Sequence, residues 1–317
     1  MFQYAAARTI AENKGFDFCY NSVRGIRFYY KNARKIISRF IFRRADLIEE
    51  KKQISSADIR KYFDLNGVNL FKLFYSRMKW LLLPRSIKRT FTPIRKKIDK
   101  IYSYEIYDNR INRLENNTEL FGSYQSVKYF EENRESVIDW FSIKKKYQSQ
   151  IQAIENNINS PLDQRCCVHV RRGDQLYQGK GLAWENKGWS LPIEYYKSAI
   201  SNLPKNLFYV ISTDSPEYVE DNFKFLKNKY ISRNNPEVVD MGLFGVCKYN
   251  IIANSSFSWW GAWLNKIKDK FVISPMYYMG WAINTWVPIS FEYHPKDWFY
   301  INVLELISKK NNTRQFS

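Results

Sequence analysis

The sequence predicts an α/β protein whose first half is mainly helical and whose second half is a doubly wound parallel sheet. Three observations lead there. Short apolar runs of strand length alternate with helix-length patterns after residue 165. The strong runs are followed at once by polar or helix-capping signatures. The chain has 317 residues with 45% hydrophobic content, enough to bury a sizeable core in two domains or one large α/β unit. A disordered or fibrous chain is excluded.

Met1 to Ala11 reads as a helix that is already running at its first residue, with an Ala-rich face and no capping side chain. Lys31 to Arg44 sets Ile36, Ile37, Phe40 and Ile41 on one face among basic residues, and Leu70 to Leu83 repeats the theme. Such helices either dock on a core with a solvated basic face or lie on an anionic membrane. The polar run Lys144 to Asn159 and Pro161 mark the best boundary, giving domains 1–155 and 156–317. Strands follow at Cys166 to Val170, Leu207 to Thr213, Asn250 to Ala253 and Lys270 to Ser274. A helix starts at Ser215-Pro216-Glu217, with Ser215 as cap and proline at its first position, and another at Ser255.

Composition narrows the chemistry. Lys and Arg number 50 against 31 Asp and Glu, a net +19, and residues 1–100 alone hold 24 against 8, a net +16. Basicity therefore belongs to the N-terminal part and suits an anionic surface or substrate there. Cys19, Cys166, Cys167 and Cys247 have no C-x-x-C spacing, so reduced thiols in the cytoplasm are expected rather than a disulfide scaffold or zinc knuckle. His169 and His294 are the only histidines, which removes multi-histidine metal clusters. No run approaches the length of a spanning helix and no secretory signal pattern opens the chain, so a soluble or peripheral protein is expected.

In doubly wound sheets ligands sit beyond the carboxyl ends of the strands. After the first strand stands His169-Val-Arg-Arg-Gly-Asp174, where guanidinium forks match phosphate oxygens and Asp174 holds one arginine while the other meets the ligand. The plain alternative is a surface Arg-Asp pair. After the third strand, Ser255 or Ser256 caps a helix whose N-terminus is a phosphate seat. Trp259, Trp260 and Trp263 recur at helical spacing and read as core, whereas Phe257 in the first turn is placed to touch ligand. After the second strand, Asp214 reads either as an acceptor for a guanine edge or ribose, or as an extra helix cap. Two arginines and a helix N-terminus on one sheet edge predict a diphosphate bound without metal. The aromatic segment Gln175 to Ser190, with Tyr177, Trp184, Glu185 and Trp189, suits an acceptor-sugar loop, or a bland surface loop.

These residues carry a specific resemblance. The H-V-R-R-G-D string at 169–174, Ser212-Thr-Asp-Ser-Pro-Glu217, the run from Lys248 through N-S-S-F-S-W-W-G-A-W to Asn265, Gly122 to Phe130, and the opening M-F-Q-Y-A-A-A are similar to the α-1,2-fucosyltransferases of glycosyltransferase family 11. The resemblance implies a GT-B architecture of two Rossmann-like halves, GDP-fucose as donor, no cofactor or metal, and inversion. It implies transfer to the 2-hydroxyl of a galactose-type sugar of an O-antigen or capsule glycan. By similarity Arg171 and Arg172 hold the diphosphate, Asn254, Ser255, Ser256, Phe257 and Ser258 complete the seat, and His169 and Asp214 lie along the guanosine. Asp174 is the first choice for general base, and Glu185 is the only other acid between it and Glu194.

Family members carry a glycine strand and loop, G-x-G-N-Q, directly before M-F-Q-Y-A, and this sequence begins at that methionine. Either a misassigned start or a truncated product is expected. A truncated chain is expected to bind GDP and to transfer fucose far more slowly than one carrying the glycine loop. The rival reading is thus a weakly active or non-catalytic nucleotide- or glycan-binding relative. A nucleic-acid partner is not expected, because no recognition module accompanies the basic residues. The basic first hundred residues suit a lipid-diphosphate-linked acceptor at the inner leaflet, hence peripheral membrane contact.

Overall fold

The computed structural model describes residues 1–14, 63, 100–103, 107–113, 119–122, 124–176, 189–276 and 292–308. The basic runs at 31–44 and 70–83 and the 177–188 interior of the aromatic loop, with Tyr177, Trp184 and Glu185, lie outside them, as does Cys19. The chain divides into two compact units: Met1–Lys61 with Leu65–Trp140, and Tyr62–Asp64 with Phe141–Ser317.

In the first unit, helix α1 (Phe2–Asn13) starts without a side-chain cap bond, as its sequence predicts. It buries Phe2, Tyr4, Ala5, Ala6, Ile10 and Ala11. Strands β1 (Lys100–Ser103) and β2 (Glu119–Gly122) pair in parallel, and helix α2 (Arg134–Trp140) follows. Arg8 is buried with its charge matched: it donates to Glu12 and to the Tyr4 hydroxyl, each at 2.9 Å, and lies 4.2 Å from the Trp140 ring. The parallel pair qualifies the mainly helical expectation. Strands of four residues are too short to show a two-residue period.

The second unit opens with helix α3 (Lys145–Asn156), which is the run expected to be the boundary linker. It packs on helix α6 (Glu237–Gly242): a Cβ on Gly242 would lie 2.1 Å from Ile151. This unit combines Tyr62–Asp64 with the continuous stretch Phe141–Ser317. Strand β3 (Arg165–Val170) is buried along its whole length, as a central parallel strand with both faces covered must be. Then come α4 (Ile193–Ser201), β4 (Phe208–Thr213), α5 (Pro216–Asn222), β5 (Lys229–Ile231), α6, β6 (Tyr249–Ile251), α7 (Ser256–Leu264), β7 (Phe271–Pro275) and β8 (Phe299–Ile301).

The six strands are all parallel and run β5-β4-β3-β6-β7-β8. Counted within the unit, that is the order 3-2-1-4-5-6 of a dinucleotide-binding Rossmann sheet. The expected Rossmann-like half is thus complete here. The order reverses between β3 and β6, so the crevice for a ligand opens at their carboxyl ends. Cys166, Val168, Val170, Ile211, Ile251 and Ile273 from the strands meet Tyr195, Tyr196 and Ala199 of α4 in the core. The three described cysteines are buried free thiols.

Candidate active site

Register builds the site. Val170 pairs with Thr213, so the next residues on the two strands, Arg171 and Asp214, emerge side by side. Asp214 Oδ2 accepts from Arg171 Nη1 at 2.6 Å, and its Oδ1 accepts from the backbone N–H of Arg172 at 2.9 Å. Arg171 Nη2 donates to Asp174 Oδ1 at 2.6 Å. Gly173 makes this approach possible. Its φ is +20°, and a Cβ there would lie 2.6 Å from Asp214 Oδ2.

The two arginines are thus given different work. Arg171 is clamped between two carboxylates, while the guanidinium of Arg172 lies 3.5 Å from the centre of the Tyr218 ring on α5. The Arg171 side chain is 34% exposed, so these pairs orient it more than they stabilise the fold. Asp214 does not act as the extra helix cap, since both its oxygens serve the two arginine positions. Ser215 occupies the cap position of α5 without a capping bond, and its hydroxyl donates to Asp214 at 3.4 Å.

Across the switch point, Ser255 caps α7 by accepting from the N–H of Phe257 at 3.3 Å. Ser256 and Phe257 are partly exposed at this N-terminus, whereas Ser258 is fully buried. The Ser258 hydroxyl accepts from Ala253 N at 3.2 Å and donates to Ser255 O at 3.3 Å, so it locks the strand-to-helix turn. Trp259, Trp260 and Trp263 are core, and Trp259 donates to Tyr293 O at 3.0 Å.

His169 is buried with its ring 5.1 Å from that of Phe257. Burial, reinforced by the Arg171 charge, lowers its pKa to about 3, so the imidazole is neutral at pH 7. Asn254 is buried and donates to Trp189 O at 3.2 Å. The ends of the aromatic loop are tied together, Trp189 N donating to Gln175 O at 2.8 Å. Tyr218 carried no signal in the sequence, because its partner Arg172 stands far away along the chain, and Gln175 figures there only as the first residue of the aromatic segment. Among the described residues no group of three or more His, Cys, Asp or Glu is arranged to hold a metal ion.

Residues 40–301 match the sequence model described as Glycosyl transferase family 11. The chain belongs to this family. It is therefore a glycosyltransferase, and two curated relatives from Escherichia coli narrow the context. It is 25% identical over 290 residues to the O-antigen biosynthesis glycosyltransferase WbnK, covering 81% of this chain and 92% of that protein. It is 29% identical over 251 residues to an alpha-1,2-colitosyltransferase, covering 71% of this chain and 82% of that one. Among solved structures it is similar to the fucosyltransferase NodZ from Bradyrhizobium, at 15% identity and a TM-score of 0.34, over 47% of this chain. That match spans 53% of NodZ, so the chain covers about half its length.

Proposed function

We propose that this family member transfers L-fucose from GDP-fucose to the 2-hydroxyl of a galactose-type sugar on a surface glycan, with inversion and without metal. The observation that carries the reading is that the Arg171–Arg172 turn and the capped N-terminus of α7 follow the adjacent strands β3 and β6 at the switch point, where the His169 and Phe257 rings lie 5.1 Å apart. Guanidiniums and helix amides held there neutralise the charge that grows on a departing diphosphate. The acceptor oxygen attacks C1 of the sugar from one face, the C1–O bond to GDP breaks on the other, and the hydroxyl proton passes to a base. Asp174, 55% exposed and tied to Arg171, is the carboxylate assigned to that role.

The colitosyltransferase relative, the more identical of the two, favours a second donor, a nucleotide-linked colitose. Purified protein offered GDP-fucose and the colitosyl donor, with galactose-terminated acceptors and with or without EDTA, separates the readings. GDP release with fucose transfer undiminished by EDTA supports the proposal. Transfer of colitose alone, or loss of activity with EDTA and recovery with magnesium, overturns the donor or the metal-free part. The +16 charge of residues 1–100 supports a lipid-linked acceptor at the inner leaflet, with the enzyme cytoplasmic and peripheral. No helix among the described residues is long and apolar enough to cross a membrane.

A further inference from the structure

Buried polar atoms without partners are few in a folded protein, and each asks for an explanation. Here four gather beside the switch point: His169 Nδ1, Gln175 Oε1, Trp189 Nε1 and Asn254 Oδ1 have no hydrogen-bond partner among the described residues. Three of these residues are bonded to one another. Gln175 Nε2 donates to Asn254 O at 2.5 Å, Asn254 Nδ2 donates to Trp189 O at 3.2 Å, and Trp189 N donates to Gln175 O at 2.8 Å. Each amide NH₂ group donates once to a backbone carbonyl, which sets the flip of the side chain and leaves its carbonyl oxygen as the atom without any partner. Gln175 and Asn254 are 7% and 4% exposed, so neither oxygen is turned to bulk water.

The unused set is two carbonyl acceptors, one indole N–H and a neutral imidazole nitrogen, with no formal charge. A phosphate offers acceptors alone and would leave both amide oxygens unmatched. Sugar hydroxyls donate and accept, and fit this set. Position favours the transferred sugar over the nucleoside. The knot joins the base of the aromatic loop to Asn254, the residue directly before the cap of the phosphate-seating helix, and the transferred sugar is the part of the donor that must meet both phosphate and acceptor.

We propose that Gln175, Asn254 and Trp189 form the subsite that reads the hydroxyls of the transferred sugar. The assignment rests on the nucleotide-sugar donor reading above. Trp189→Phe removes the indole N–H and keeps a ring, leaving the backbone bonds of residue 189 in place. Gln175→Met removes the amide at similar volume. Calorimetry with GDP and steady-state kinetics with GDP-fucose are run on both variants and the wild type. The expected result is an unchanged GDP dissociation constant and a KM for GDP-fucose raised about 3- to 10-fold, the loss of one neutral hydrogen bond.

An equal fall in affinity for GDP would place the knot against the ribose or guanine and overturn the assignment. No change in either variant would mean that ordered water alone fills these positions, which also overturns it. If Gln175→Met melts early, Trp189→Phe decides alone. A wild type that binds no GDP removes the donor reading itself, and is recognised as that failure because it precedes any variant.

Discussion

Gly173 is the smallest residue of the site and the least replaceable. A methyl there meets the Asp214 carboxylate at 2.6 Å, which is the group that orients Arg171. Gly173→Ala is expected to displace Asp214 and cut transfer by roughly 10-fold or more, and the φ of +20° should add a loss of stability of about 1 kcal/mol. Arg171→Ala removes one preorganised cation and should cost at least about 10²-fold in turnover with the fold intact. Arg172→Lys keeps the charge but loses the planar stack on Tyr218. It should retain more activity than Arg172→Ala, and equal activity of the two would show that the stacked geometry is irrelevant.

Helix α7 shows how one element serves both site and core. Its first turn is polar and capped, while its body buries three tryptophans. Ser255→Ala deletes the cap and should lower stability by about 1 kcal/mol, and on the proposed reading, in which the N-terminus of α7 seats the diphosphate, it should weaken GDP binding as well. Gly261 in mid-helix runs against propensity, since alanine is favoured there by about 1 kcal/mol in an isolated helix. Packing overrides it: a Cβ at 261 would lie 2.6 Å from the fully buried Phe244 ring. Gly261→Ala should therefore destabilise by about 1–3 kcal/mol in urea melts. A stabilised variant would show that the ring does have room to move.

At the scale of the whole molecule, the two histidines set an acid limit on stability. Burial lowers both His169 and His294 to about 3, His294 with its Nε2 3.2 Å from the Ser274 hydroxyl. Unfolding releases each to an ordinary value near 6.5, so below that pH the unfolded state takes up protons that the folded state does not. Their contribution is present above pH 6.5 and is lost as pH falls toward 3. Each should cost about 1.4 kcal/mol per pH unit below about 6. Urea midpoints at pH 7 and pH 5.5 should differ accordingly, and His294→Gln should lessen the difference. A flat profile would show that the two rings are not buried neutral.

Much of the second unit was legible in the order of residues. Strands β3, β4, β6 and β7 announce themselves as short apolar runs, Pro216 opens α5, and Ser255 caps α7, because such features depend on neighbours within a few positions. The tryptophans at helical spacing were core for the same reason. The parallel pair β1–β2 and strands β5 and β8 were not legible, since strands of three or four residues carry no period of their own; β6, equally short, is legible only through the apolar residues that continue it to Ala253. Nor was α3, whose polar run resembles a linker until Gly242 lets Ile151 approach. The division of labour between Arg171 and Arg172 belongs to tertiary structure alone. It follows from register, which brings position 214 beside 171 and Tyr218 beneath 172. The bonding of Gln175 to Asn254, 79 positions apart, has the same origin. Local pattern determined the strands and capped helices that lead into the site and where their polar ends lie, while sheet order decided which of those ends meet.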